Sequence, residues 1–154
     1  NVWCQHDQAR RTPGGGWEIL GRSDNTLNPG GVRIGAGEIY RALDDDRITS
    51  AIVVGKEAGA DVELALFVTT QDSGNETAAF ADVIRRLIRT ACTPRHVPKH
   101  VFFVPELPRT RNGKLSESAV RNLINGQRVE NLEQLENPEC LAAIRGALEA
   151  AGPA

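Results

Sequence analysis

Two apolar stretches in the middle of the chain set the frame. "TSAIVVGKE" (49–57) and "VELALFVTT" (62–70) are β-branched and apolar, and the turn-like spacer "AGAD" joins them. They predict two strands. Downstream, Phe80, Val83, Ile84, Leu87, Ile88 and Ala91 recur at helical spacing, with Arg85, Arg86 and Arg89 on the other faces. That pattern predicts an amphipathic helix, which Pro94 stops. "HVFFVPEL" (100–107), bounded by prolines, reads as a third strand. "SESAVRNLIN" (116–125) reads as a helix, with Ser116 as N-cap and Gly126 just beyond its end. Asn137-Pro138 opens a last helix, with asparagine as cap and proline in the first turn.

Upstream, residues 2–10 and 16–21 read as two short strands joined by the turn around Pro13. "GRSDNTLNPGGVRIGAGEIYRAL" (21–43) follows. Its first half is rich in turn formers and lets a ligand approach the main chain closely. Its second half, from Gly37 to Leu43, reads as a helix burying Ile39 and Leu43. The predicted fold class is therefore α+β: a small sheet of about three strands packed with helices, preceded by a short β-hairpin. The composition break near Asp24 divides the chain into residues 1–23 and 24–154.

Composition narrows the function classes. The chain has 154 residues, 40% hydrophobic and 25% charged, enough for one sizeable core. A formal net charge of -2 gives no long-range attraction for nucleic acid. The apolar runs are too short to span a bilayer, and "NVWCQHDQARR" has no apolar signal-peptide core. Cys4, Cys92 and Cys140 are scattered, without C-x-x-C spacing, and the histidines complete no zinc pattern. These features point to a reducing, cytoplasmic setting without a structural metal, and Cys92 reads as a small core residue.

Several motifs fail on inspection. "GAGEIY" (35–40) starts like a dinucleotide fingerprint, but Tyr40 replaces the third glycine. "RNGKL" is no P-loop, because Pro108 stands where the first glycine belongs and Leu115 replaces the Mg²⁺-binding hydroxyl. "DDD" (44–46) reads as a solvated helix end. His6, His96 and His100 lie near turns and prolines and read as surface residues, not bases.

"PRTRNGK" (108–114) is more informative. Asn112-Gly113 is a strong tight-turn signal, since both residue types accept positive φ, and it puts Lys114 at a hairpin tip. Most such lysines are solvated charges. Here Asp7, Arg22, a glycine-rich loop holding Arg33, and Arg89 supply matching chemistry. A carboxylate can accept from ribose hydroxyls, and the cations can neutralise phosphate oxygens as charge builds.

"DQARRTPGGGWEILGRSDNTLNPGGVRIGAGEIY" followed by "PRTRNGKL" resembles the carboxyl-terminal part of the adenylate-forming enzymes. That superfamily holds acyl-CoA synthetases, peptide-synthetase adenylation domains and luciferases. Within it, the 21–43 segment and the tail "LINGQRVENLEQLENPECL" resemble the acetoacetyl-CoA synthetase family. The resemblance implies ATP and CoA as cosubstrates, Mg²⁺ accompanying ATP with no ligand in these residues, and a small carboxylic acid as substrate.

It also implies roles. Asp7 matches the aspartate that grips the ATP ribose, although His6 stands where the family has glycine. Arg22, 15 residues on (22 − 7), matches the arginine at ribose or phosphate. Asp24 matches the hinge of a mobile lid. Gly30, Gly31 and Arg33 fall in the loop lining the pantetheine tunnel, and Arg89 falls where some ligases hold the CoA 3′-phosphate. Lys114 matches the lysine bridging carboxylate and α-phosphate, a target of lysine acetyltransferases and deacetylases in the family.

On this resemblance the chain is a lid that works with an N-terminal domain, inactive in adenylation by itself. A peptide-synthetase lid, which "DQAR" also suggests, would be followed by a carrier domain. A non-catalytic interaction module with the same fold would leave Lys114 and Asp24 dispensable.

Overall fold

The computed structural model describes residues 7–22, 26–72 and 77–152. Asp24 and His6 lie outside them. Strands β1 (Asp7–Arg11) and β2 (Trp17–Arg22) form an antiparallel hairpin with a bulge at Gln8/Ala9. The short strands β3 (Thr26–Leu27) and β4 (Ile34–Gly35) pair around the glycine loop, and helix α1 (Ala36–Ala42) follows.

The main sheet has strand order β5-β6-β7. Strands β5 (Ile48–Ala58) and β6 (Asp61–Thr70) are antiparallel. Ala58 pairs with Asp61, so only Gly59 and Ala60 make the turn, and Gly59 takes φ +64°. Helix α2 (Ala78–Ala91) crosses back, so β7 (His100–Phe103) lies parallel to β6.

Period-two alternation sorts the sheet's side chains into two cores. Val53, Leu64, Leu66 and Val68 face Ile39, Phe80, Ile84 and Ile88 of α1 and α2. Ile52, Val54, Ala65 and Phe67 face the other way, toward helices α3 (Glu117–Ile124) and α4 (Cys140–Ala150). Central strand β6 is covered on both faces, which is why "LALFV" carries no polar alternation. Phe67 is fully buried and stacks on Phe102 at 4.9 Å.

Helix ends follow local chemistry. Thr77 caps α2 by accepting from the Phe80 N–H at 3.1 Å. Helix α3 ends in a Schellman arrangement: Gly126 at φ +67° donates to Leu123, and Gln127 donates to Asn122. Ser116 stands at the predicted N-cap position, but its hydroxyl makes no cap bond and lies 3.4 Å from the Ser118 hydroxyl. Three readings need correction. Asn137 does not cap α4; its carboxamide turns to the strand before the lysine hairpin, and only its carbonyl accepts from Cys140. The third strand stops at Phe103, and the last bond to β6 runs from the Val104 N–H to Val68 O at 3.0 Å, before Pro105. His96 is buried at 5% exposure rather than a surface residue. Its Nε2 faces the Glu38 carboxylate at 2.8 Å, and its Nδ1 lies 2.9 Å from the Thr93 hydroxyl. A carboxylate only accepts, so Nε2 carries a proton.

Cys92 packs against the first core, and burial raises its thiol above the ordinary value. Asp44 and Asp46 are exposed, whereas Asp45 is half-buried and accepts from Arg47. No helix among the described residues is long and apolar enough to cross a membrane.

Candidate functional site

Lys114 emerges from a narrow turn. The Gly113 N–H donates to Thr110 O at 2.7 Å, and the Thr110 N–H donates to Lys114 O at 2.8 Å. Arg109 pairs with Leu115 across the base. Gly113 takes φ +76°, while Asn112 keeps a negative φ. The Asn-Gly signal therefore found the turn but not its type: one left-handed residue suffices where the turn closes on a glycine. Thr110 adds its hydroxyl as acceptor for the Lys114 N–H at 3.3 Å. The Lys114 side chain is exposed, and among the described residues its ammonium has no hydrogen-bond or ion-pair partner. It borders an open depression of about 650 Å³, whose walls include Arg111, Asn112, Glu133 and Gln134.

The glycine loop is built differently. Pro29–Gly31 make one 3-10 turn, in which Gly30 and Gly31 take φ +57° and +74°. Two consecutive left-handed residues are why glycine is needed here, and the Gly31 N–H closes the turn on Asn28 O at 3.3 Å. The Gly30 N–H donates to Asp61 Oδ1 at 2.8 Å, and Arg95 Nη1 donates to Gly30 O at 3.3 Å. The N–H groups of Val62 and Gly30 hold the Asp61 carboxyl below its ordinary range. Arg33 is exposed and donates to the Thr26 hydroxyl at 3.2 Å.

Between this loop, β5 and α3 lies a cavity of about 170 Å³, bordered by Asn28, Gly55, Glu117 and Asn125. Tyr40 of α1 reaches over the sheet toward it. Its hydroxyl donates to Glu117 Oε1 at 2.5 Å and accepts from the Val53 N–H at 3.1 Å. Burial first, then the Glu117 carboxylate, raise the phenol well above its ordinary value, so it stays protonated as donor.

The other candidates are scattered. Asp7 and Arg22 stand opposite each other in the β1–β2 register. Arg89 lies in the last turn of α2, exposed. The guanidinium that touches the glycine loop is that of Arg95, not Arg89. No hydrogen bond or ion pair among the described residues joins Lys114 to Gly30, Gly31, Arg33 or Arg89. Sequence reasoning missed Asp61, Arg95, Tyr40 and Glu117. The available signal was the demand itself: two left-handed glycines need an acceptor for their amides, but nothing local says which residue supplies it.

The AMP-binding enzyme C-terminal domain family matches residues 42–114, which include the three-stranded sheet and the lysine hairpin. Over these residues the chain carries an AMP-binding enzyme C-terminal domain. More particularly, it is similar to acetoacetyl-CoA synthetases. It is 45% identical over 147 residues to that of Rhizobium meliloti (strain 1021), covering 95% of this chain and 23% of the relative. It is 41% identical over 130 residues to that of Caenorhabditis elegans, covering 82% and 19%. The solved acetoacetyl-CoA synthetase from Streptomyces lividans superposes with a TM-score of 0.82 at 32% identity, covering 97% of this chain and 23% of that one. The chain thus spans about a quarter of the length of these relatives.

Proposed function

We propose that residues 24–154 are the mobile lid of an ATP-dependent acid–CoA ligase acting on acetoacetate, and that residues 1–23 end the large domain before it. The reaction has two half-steps. The acetoacetate carboxylate attacks the α-phosphorus of ATP, and diphosphate leaves. The CoA thiol then attacks the acyl-adenylate carbonyl, and AMP leaves with its electron pair.

The observation that carries this reading is an unpaired, exposed ammonium on a stiff hairpin in a chain so similar to acetoacetyl-CoA synthetases. In one orientation Lys114 stabilises the charge gathering between carboxylate and α-phosphate. Rotation at Asp24 withdraws it and presents Gly30, Gly31 and Arg33 to the pantetheine arm. Asp7 and Arg22 hold the nucleotide, and Arg89 faces the CoA 3′-phosphate. Mg²⁺ comes with ATP. Acetylation of the accessible Lys114 would remove its charge and stop the first half-step. The similarity to acid–CoA ligases favours this reading over a peptide-synthetase lid.

The test restores the chain to its upstream coding region and follows AMP formation with ATP and acetoacetate, with and without CoA, beside Lys114→Ala. The reading requires acetoacetate-dependent AMP release. It also requires Lys114→Ala to abolish adenylation while thioester formation from preformed adenylate survives. No AMP release with any short acid would leave the family likeness as one of fold.

A further inference from the structure

The lysine hairpin is held by a segment beyond the stretch that matches the family. After a 3-10 turn at Leu132–Gln134, residues 134–136 lie antiparallel to residues 109–111 through one isolated β-bridge. The Arg111 N–H donates to Gln134 O at 3.0 Å, and its Nε donates to Glu133 O at 3.1 Å. Thr110 bridges Leu135, and the Glu136 N–H donates to Arg109 O at 2.8 Å. Asn131 starts the segment in the left-handed region at φ +54°, and Asn137 ends it. Asn137 is 7% exposed. Its Oδ1 accepts from the Arg109 N–H at 2.8 Å, and its Nδ2 donates to Leu107 O at 3.1 Å.

Two of these bonds, Arg111 to Gln134 and Glu136 to Arg109, are backbone to backbone and indifferent to sequence. Asn137 is different: one carboxamide satisfies a donor and an acceptor on the arm that leads into the turn. Arg109 is also the residue that pairs with Leu115, beside Lys114. We propose that Asn137 is a positioning residue for Lys114, fixing where the hairpin, and so the ammonium, stands relative to the sheet. This rests on Lys114 being the adenylation lysine. A displacement of about 1 Å at a reacting group costs on the order of 10²-fold in rate. No common substitute supplies both halves; aspartate would turn an acceptor toward the Leu107 carbonyl.

The test uses the full-length enzyme and measures the half-steps separately. Asn137→Ala and Asn137→Asp are expected to slow acetoacetate-dependent diphosphate release about tenfold or more, with thioester formation from synthetic adenylate within about twofold of the parent. A merely structural role would lower both together. Arg111→Ala, on the exposed side of the same contact, gives a smaller loss of the same selective kind and serves where the buried variants do not fold. Parallel loss of both half-steps, or no loss, overturns the proposal. Lys114→Ala in the same series separates the causes. If it alone abolishes diphosphate release, only the positioning role fails. If it too leaves release intact, the reading of Lys114 fails and takes this inference with it.

Discussion

The lysine hairpin and the glycine loop solve opposite problems with the same material. The hairpin that carries the Lys114 ammonium pairs its main chain on two sides: with itself at Arg109–Leu115 and with residues 134–136. The loop is tied differently: a carboxylate on the Gly30 N–H, a guanidinium on the Gly30 carbonyl, and 3-10 bonds from the Gly31 and Val32 N–H groups to Asn28 O and Pro29 O, all resting on glycine's tolerance of positive φ. On the proposed function, the side chain is the tool in one region and the backbone its mount. In the other the backbone is the tool, and side chains from β6 and the 94–96 turn are the mount.

The sharpest way to break this contrast is Lys114→Ala. On the proposed function, losing this charge should cost about 10²–10³-fold in adenylation. Stability should stay within about 0.5 kcal/mol, because the side chain is exposed and its ammonium makes no hydrogen bond or ion pair among the described residues. A large drop in melting temperature would mean that the hairpin depends on the lysine it carries.

Gly30→Val should act the other way. A β-branched residue at φ +57° is strained by about 1–3 kcal/mol, and its Cβ would lie 2.5 Å from Arg95 Nη1. The guanidinium can move aside; the backbone cannot. Thioester formation should fall while adenylation holds, and equal losses in both would refute the division of labour. Tyr40→Phe should be milder in activity and touch both regions, since it strands the Val53 N–H at a cost of about 1–3 kcal/mol. Thermal unfolding, with both half-steps reduced alike, would report it.

The smallest effect is in acid. Backbone bonds from Val62 and Gly30 depress the Asp61 carboxyl, and Lys99 and then His100 depress that of Glu63. A carboxyl depressed by folding stabilises fully above its unfolded value of about 4 and loses that contribution as pH falls through its folded value. The loop should therefore keep its anchor at neutral pH and loosen only in acid. Amide shifts of Gly30 and Val62 across an acid titration would show this, and Asp61→Asn should abolish the change. Titration at the ordinary carboxylate value would count against the anchor.

Much of this was legible in the sequence where a local cause operates. The β5 and β6 strands, the α2 stripe, the Gly126 stop and the hairpin tip at Lys114 all follow from neighbouring residues. What escaped depends on distant partners. The parallel β6–β7 pairing exists only because α2 crosses the sheet. Asn137 looked like a cap because Asn-Pro opens helices. Its carboxamide instead meets Leu107 and Arg109, about thirty residues upstream. His96 lies between prolines that suggest a surface turn, and only the fold brings Glu38 to it.

One further consequence follows from the bonds to β5, which lies at the open margin of the main sheet. The Val53 N–H is taken by the Tyr40 hydroxyl, the Glu57 N–H by Asn125 Oδ1 at 2.8 Å, and the Gly55 carbonyl by Asn125 Nδ2 at 3.0 Å. A strand from another molecule seeking to extend the sheet would find these groups already occupied. The same two side chains that join helices to the sheet thereby guard it against edge-to-edge aggregation, and replacing Asn125 with an apolar residue would reopen that margin as a seed.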